Sequence, residues 1–226
     1  MFMSERLWSI LLDSVWKIFL PGLKVTIPLT VISFSIALVI ATAMAMVQFA
    51  NIKGLRQVAR FYIWIFRGTP LLVQLFVVFY GLPRAGILID PFPAAVLVFS
   101  LNEGAYSAET MRAALESVPY GQIEAGYCVG MSWFQIMRRI VLPQALRTAF
   151  PPLSNSIISM LKDTSLVSII TVSEMFMAAQ KIVGRTYEPL LIYSEVALFY
   201  LLFCSVLTWL QHIGEKKLNA YQAERR

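Results

Sequence analysis

The sequence predicts an all-α integral membrane protein with five transmembrane helices, and three observations predict it. Of 226 residues, 58% are hydrophobic and only 14% charged, with a mean hydropathy of +0.68, outside the balance of soluble globular domains. Stretches with few or no charges recur along the chain at about 20 residues each, the length an α-helix needs to cross the hydrocarbon. Lys and Arg stand singly or in pairs between these stretches instead of forming blocks, so the net charge of +6 suits lipid headgroups better than nucleic acid. Cys128 and Cys204 lie far apart with no partner spacing. They predict neither a disulfide framework nor a thiolate metal site, and both read as small apolar residues.

Residues 4–19 place Arg6, Ser9, Asp13 and Lys17 along one helical stripe, with Leu7, Leu11, Leu12, Val15, Trp16 and Phe19 elsewhere. This predicts an amphipathic helix over residues 1–19 lying in the membrane interface. A cleaved signal peptide is the competing reading, but the apolar run that follows is too long and the basic segment before it too weak. The first span, residues 25–52, carries no charge; the second, 61–83, carries Arg67; the third, 91–114, carries Glu103, Glu109 and Arg112; the fourth, 148–172, holds Lys162 and Asp163; the fifth is 189–212. His212 closes that last span at an interfacial position and is assigned no chemistry.

Orientation follows from where the cations collect. One side of the membrane receives Lys53, Arg56, Arg60, Arg67, Arg112, Arg138, Arg139, Arg147, Lys216, Lys217, Arg225 and Arg226, about twice the number on the other side. That side is cytoplasmic. The chain therefore starts outside and ends inside, with a transmembrane domain over 20–216 and a cytoplasmic tail over 217–226.

The loop between spans three and four, 116–147, is then cytosolic. Pro119 suits the first turn of a short helix reaching Val129, which Gly130 stops. Ser132 followed by Gln135 is a capping-box pattern that starts a second helix over 133–142, and Pro143 is expected to end it. A solvated surface loop is the bland reading. Against it stand the Tyr, Trp, Phe, Ile and Met side chains, the separate caps and the attachment to spans at both ends. Such a projection is suited to a groove on another protein.

Glu124-Ala125, then Gly130, nine residues and Ile140-Val141-Leu142-Pro143 resemble the EAA loop of ABC importer permeases, with Gly126 where the family usually has alanine. That swap lowers local helix propensity by about 1 kcal/mol. "FRGTPLLVQLFVVFYGLP", "SLNEGAYSAETMRAAL" and "PPLSNSIISMLKDTSL" are similar to the polar amino-acid branch of these permeases, and "GLPRAGILIDPFPAAVLVFSLNEGAYSAE" looks most like its cystine-type members. The resemblance implies a type I ABC importer permease fold, a multi-pass location in the bacterial inner membrane and a second permease chain, identical or similar. It also implies an extracytoplasmic solute-binding protein and two cytosolic ATPase subunits whose clefts receive the loops. ATP and Mg would sit on those ATPases, and this chain would bind no cofactor. Glu124 resembles the motif's acid, which accepts hydrogen bonds from ATPase donors or from its own loop, and Gly130 its turn. Ala125, Gly126, Ile140, Leu142 and Pro143 complete the coupling set. L-Cystine is the expected solute, with glutamine, glutamate, arginine and histidine left open.

Ionisable residues at membrane depth are costly and mark solute paths. Asn102, Tyr106 and Glu109 fall on one face of span three, beside Glu103; Asn155, Ser159 and Lys162 fall on one face of span four, beside Asp163. These eight are the substrate-path candidates. The alternative is structural: Lys162 and Asp163 neutralise charges of other chains, and Glu109 pairs with Arg112. Arg67, Gly68, Thr69 and Pro70 are candidates for a gate or hinge, with Pro70 kinking span two and Arg67 near the cytosolic headgroups, in contact with phospholipid or a loop.

No G-x-x-x-x-G-K-[ST] stretch occurs, so ATP binding by a P-loop is excluded for this chain. No HExxH, Cys/His cluster or nucleophile elbow occurs either, and the expectation is a transport subunit without enzymatic activity. A secondary transporter is the more distant alternative, and five spans show no inverted halves for it. A mere scaffold would leave the two polar stripes without a purpose.

Overall fold

The structure is a computed structural model that describes residues 5–223. Among these residues every regular element is helical. Helix α1 (Glu5–Pro21) passes through a π-helical turn, Gly22–Thr26, into α2 (Ile27–Phe49), giving one apolar helix, Glu5–Phe49, of 45 residues. The interfacial helix expected over 1–19 is therefore not a separate element, and its first four residues lie outside the described ones. Pro21 lacks the N–H that the helix would bond to the carbonyl four residues back, and the turn that follows it is widened. Ile27 N–H bonds to Gly22 O, five residues back. Glycine is required at 22, because a Cβ there would lie 2.7 Å from Cε2 of Phe203.

The expected second span is broken. Helix α3 (Leu55–Gly68) stops, Thr69 and Pro70 are extended, and α4 (Leu71–Phe76) restarts and runs on through Val77–Gly81 and Leu82–Ala85. A residue before proline is pushed out of the α region, so Pro70 ends one helix and caps the next instead of kinking a continuous one.

Helix α5 (Pro91–Glu116) is unbroken, followed by α6 (Tyr120–Cys128) and α7 (Trp133–Ile136). The stop expected at Pro143 does not occur. A π-helical turn, Met137–Val141, joins α7 to α8 (Leu142–Asp163), with Leu142 N–H bonded to Met137 O. The extra residue in that turn lets the chain carry a proline without a clash against the preceding carbonyl.

Within the expected fourth span the α-helix gives way to a tighter one after Asp163. Thr164 Oγ1 donates to Leu161 O at 2.6 Å, Ser165 Oγ to Lys162 O at 2.9 Å and Ser168 Oγ to Ser165 O at 2.7 Å. These hydroxyls take carbonyls that an α-helix would use, and the chain tightens to a 3-10 helix over Thr164–Ile170. Lys162 and Asp163 thus sit at the end of α8, where the chain passes into this tighter turn. Helix α9 (Met175–Thr186) is capped by fully buried Glu174, whose carboxylate accepts from Phe176 N at 2.8 Å and Met177 N at 2.7 Å. Helix α10 (Pro189–Ala223) runs past the expected end of span five and into the predicted tail, whose last three residues lie outside the described ones.

Glu5–Phe49 and Pro189–Leu218 are each long and apolar enough to cross a membrane, and up to four spans result if each broken helix pair counts as one. Helix α5, which carries Glu103, Glu109, Arg112 and Glu116 along its length, is not among these.

Two compact units form. One comprises the residues up to Phe34 with Pro70–Phe99 and Ile158–Leu207. Its core gathers Leu29, Leu75, Phe99 and Ile170, and a second cluster gathers Ile18, Met175, Ile192 and Phe203. Two buried carboxylates accept from hydroxyls there: Ser14 donates to Glu195 Oε2 at 2.5 Å, while Glu195 Oε1 is buried without a partner among the described residues, and Tyr200 donates to Glu174 at 3.1 Å. The other unit comprises Ser35–Thr69, Ser100–Ile157 and the residues from Thr208 onward. It packs a seam of small residues, Ala41, Ala105 and Ala108, against Ile63. Small residues let helix backbones approach closely where lipid offers no hydrophobic drive. Gly104 extends the seam, for a Cβ there would lie 2.9 Å from Tyr62 Oη and 3.0 Å from Ile40 Cγ2.

Candidate functional site

The loop predicted to dock a partner is built from local signals. Helix α6 ends in a Schellman turn: Gly130 has φ +78°, its N–H bonds to Tyr127 O at 2.9 Å, and Met131 N–H bonds to Gly126 O at 3.0 Å. Helix α7 starts with a reciprocal capping box, Gln135 N to Ser132 Oγ at 3.3 Å and Ser132 N to Gln135 Oε1 at 2.8 Å. The two ends meet within three residues, which fixes the angle between the helices.

One face of this pair is anchored. Ile136, Met137 and Val141 are buried against Ala45, Ala114 and Leu115 of α2 and α5. Gln144 Nε2 donates to Gln122 Oε1 at 2.6 Å and ties the start of α8 back to α6. The other face is open. Tyr120, Tyr127, Val129 and Phe134 are exposed, Glu124 and Ala125 stand among them, and Arg138 and Arg139 flank them. Glu124 makes no side-chain hydrogen bond or ion pair among the described residues, so its carboxylate is available to a donor outside the chain. Ile140 is half-buried and Pro143 exposed, while Leu142 packs on the anchored face.

Gly126 has a reason that helix propensity alone misses. It is buried, and a Cβ there would lie 2.9 Å from Ile136 Cγ1 and 3.3 Å from Ile140 Cδ1. Glycine lets α6 lie directly on α7. Gly126→Ala is expected to force the two helices apart and to lower the unfolding midpoint of the purified transporter in spite of the better helix former. A core overpacking cost of about 1–3 kcal/mol exceeds the propensity gain of about 1 kcal/mol. Adding Ile136→Val, which removes Cδ1 at 3.2 Å from that Cβ, should recover part of the loss; an unchanged midpoint for Gly126→Ala alone would sink the claim.

The polar stripe of α5 converges with the break after α3. Asn102 Nδ2 donates to Phe66 O at 3.2 Å and Tyr106 Oη to Arg67 O at 3.5 Å, so the carbonyls left open at the end of α3 are taken by α5. The Arg67 guanidinium lies 5.4 Å over the Tyr106 ring and 3.7 Å from Glu109. Glu109 also pairs with Arg112 at 2.9 Å and accepts from Gln48 at 3.3 Å. Substrate-path and hinge candidates thus form one cluster around Glu109. Arg67 meets a carboxylate there, where the sequence pointed to a headgroup or loop. Glu103 accepts from Ser107 at 2.6 Å on its own helix. Gly68 ends α3, and Thr69 Oγ1 donates to Ile65 O at 2.9 Å.

On α8, Asn155, Ser159 and Lys162 form an exposed stripe with exposed Asp163 beside it. Among the described residues neither Lys162 nor Asp163 lies within ion-pairing distance of another side chain. Arg56, Arg60 and Gln48, which stand near Glu109, were not singled out by the sequence, because nothing in their spacing links the ends of α2 and α3 to α5. No group of His, Cys, Asp and Glu that could hold a metal ion occurs among the described residues.

The family of binding-protein-dependent transport system inner membrane components matches residues 37–220. The chain is 45% identical over 218 residues to the L-cystine transport system permease protein TcyB of Bacillus subtilis (strain 168), covering 96% of this chain and 93% of that protein. It is 36% identical over 217 residues to the glutamine transport system permease protein GlnP of Escherichia coli (strain K12), covering 94% and 97%. A crystal structure of an amino acid ABC transporter with histidines superposes with a TM-score of 0.85 at 32% identity over 96% of this chain and 100% of that one. An inward-facing MetNI methionine ABC transporter, at 19% identity and a TM-score of 0.72 over 96% and 99%, shares the fold. The family model spans most of the chain and the relatives align along nearly all of it, so the chain belongs to the binding-protein-dependent transport system inner membrane components, as a permease subunit of an ABC importer in the bacterial plasma membrane.

Proposed function

We propose that this permease imports polar amino acids, with L-cystine as its solute. The observation that carries the reading is the 45% identity to an L-cystine permease along 96% of the chain. The chain crosses the membrane five times, N-terminus outside and C-terminus inside, as the cation distribution and the charge-bearing but long α5 support. It pairs with a second permease chain, identical or closely similar. An extracytoplasmic binding protein delivers the solute, and two cytosolic ATPases, carrying ATP and Mg, supply the energy.

The 116–147 loop is the mechanical link. Its anchored face binds it to α2 and α5, and its open face around Glu124 enters the ATPase, so closure of the ATPase dimer pulls on the membrane helices. Asn102, Tyr106 and Glu109 hold the end of α3, which makes the Arg67–Pro70 break the place where such a pull changes access. The exposed stripe of Asn155, Ser159 and Lys162, with Asp163, supplies both charge signs to a zwitterionic solute.

Uptake of radiolabelled cystine tests the reading, in cells carrying this chain with its binding protein and ATPase, with and without an ATPase-dead variant. ATP-dependent uptake that resists excess unlabelled glutamine and arginine is expected. A better competitor than cystine would overturn the solute, and uptake that survives the dead ATPase would overturn the importer mechanism. The 36% identity to a glutamine permease makes glutamine the second reading.

A further inference from the structure

Arg56, Arg60, Arg67 and Arg112 line one cavity of about 330 Å³, together with Glu109 and Trp64. Its charges do not balance. Arg112 is paired with Glu109 at 2.9 Å and Glu116 at 2.6 Å, and Arg67 leans on the same Glu109 at 3.7 Å. Among the described residues no carboxylate lies within ion-pairing distance of Arg56 or Arg60. Arg56 donates one Nη1–H to the neutral Asn51 side chain at 2.5 Å, while its Nε is buried with no acceptor. A buried donor without an acceptor is costly to leave unmade. Two guanidiniums in excess and an unmet N–H call for an anion with several acceptor oxygens.

The surroundings point to where that anion comes from. Phe61 and Trp64, with ring centroids 5.9 Å apart, stand exposed on α3 between the turns that carry Arg60 and Arg67, and Val58 is exposed one turn earlier. Arginines and exposed aromatic rings on one amphipathic helix are the composition of a membrane–water interface. Basic pockets between membrane helices on the cytoplasmic side suit phospholipid headgroups. We propose that this cavity binds a phosphate oxyanion presented by the headgroup of an anionic phospholipid of the cytoplasmic leaflet, with Arg56 and Arg60 as its principal donors. Free phosphate has the same oxyanion chemistry and is the other source to be tested. The forked guanidinium matches phosphate oxygens in geometry as well as charge. Because Arg67 and Glu109 share the cavity, the bound headgroup braces the end of α3 at the break before Pro70.

The test uses the assembled, delipidated transporter in neutral detergent, titrated with phosphatidylglycerol or phosphatidylcholine and followed by native mass spectrometry, with inorganic phosphate as competitor. Phosphatidylglycerol is expected to be retained in preference to phosphatidylcholine. Its affinity should fall about fivefold in Arg60→Gln and about thirtyfold in Arg56→Gln/Arg60→Gln, at one contact's worth per arginine. Arg60 is exposed and makes no hydrogen bond or ion pair within the described chain, so its replacement leaves the fold intact even if the double variant does not assemble. Lys216→Gln/Lys217→Gln removes the same net charge elsewhere and should change nothing. Equal retention by wild type and Arg60→Gln, or an equal loss in the lysine control, would overturn the site. Full displacement of the lipid by inorganic phosphate would overturn the lipid as its source. Binding is read directly, so the outcome does not depend on which solute the transporter carries.

Discussion

Glu124→Lys is expected to abolish ATP-driven uptake while the chain still folds and inserts. Glu124 is exposed and holds no partner among the described residues, so the substitution removes no contact within the fold. Its effect falls on what the loop meets. Breaking a charge-assisted hydrogen bond at an interface and leaving its partner opposed by a like charge costs about 2–5 kcal/mol, a loss of roughly 30-fold to more than 1000-fold in affinity. Co-purification of the ATPase with the permease should fall with uptake, while the amount of permease in the membrane stays constant. Retained uptake would defeat the coupling role of this carboxylate. Loss of the permease from the membrane would instead place Glu124 in the fold.

Glu109→Ala is expected to have the next largest effect. Glu109 accepts from Gln48 and pairs with both Arg67 and Arg112, so its loss strands Arg67 where α3 ends and leaves Arg112 with Glu116 alone. Removing one partner of a buried ion pair costs about 3–5 kcal/mol. The Glu109 side chain is 24% exposed, and solvent screening brings this to on the order of 1–3 kcal/mol. Transport should fall at least about tenfold, since that loss lands on the brace of the proposed hinge and not on a rigid core. Assembly with the ATPase should fall much less, and Glu109→Gln should rank between alanine and wild type because it keeps an acceptor for Arg112. Equal losses of transport and assembly would favour a purely structural pair. Alanine at Asp163 separates the two ideas further: exposed and in no ion pair among the described residues, it should affect transport and leave the thermal midpoint unchanged.

The elements that the sequence announced correctly are those governed by bonds within a few residues. The Ser132 and Gln135 capping box and the Gly130 turn depend on groups three to five positions apart, and they form as their spacing predicts. Proline rules are equally local, yet they misjudged Pro143, because a widened π-helical turn on its N-terminal side keeps the helix continuous. Whether such a turn is worth its poorer bonds depends on the packing around it, here Val141 buried in one cluster with Ala45.

Composition and charge placement were enough, on the sequence alone, to determine an α-helical membrane protein, and the spacing from Glu124 to Pro143 carried the resemblance to a permease family. Those features act through solvent preference and short-range bonding, which a linear chain already expresses. Only the tertiary structure decided that Gly126 is a packing contact, that Asn102, Tyr106 and Glu109 hold the end of α3, and that Arg56 and Arg60 share one undercompensated cavity with Arg112 of α5. Each of these joins side chains that are distant in sequence or on separate helices. Their energies arise from distance and burial, quantities that exist only once the helices have packed.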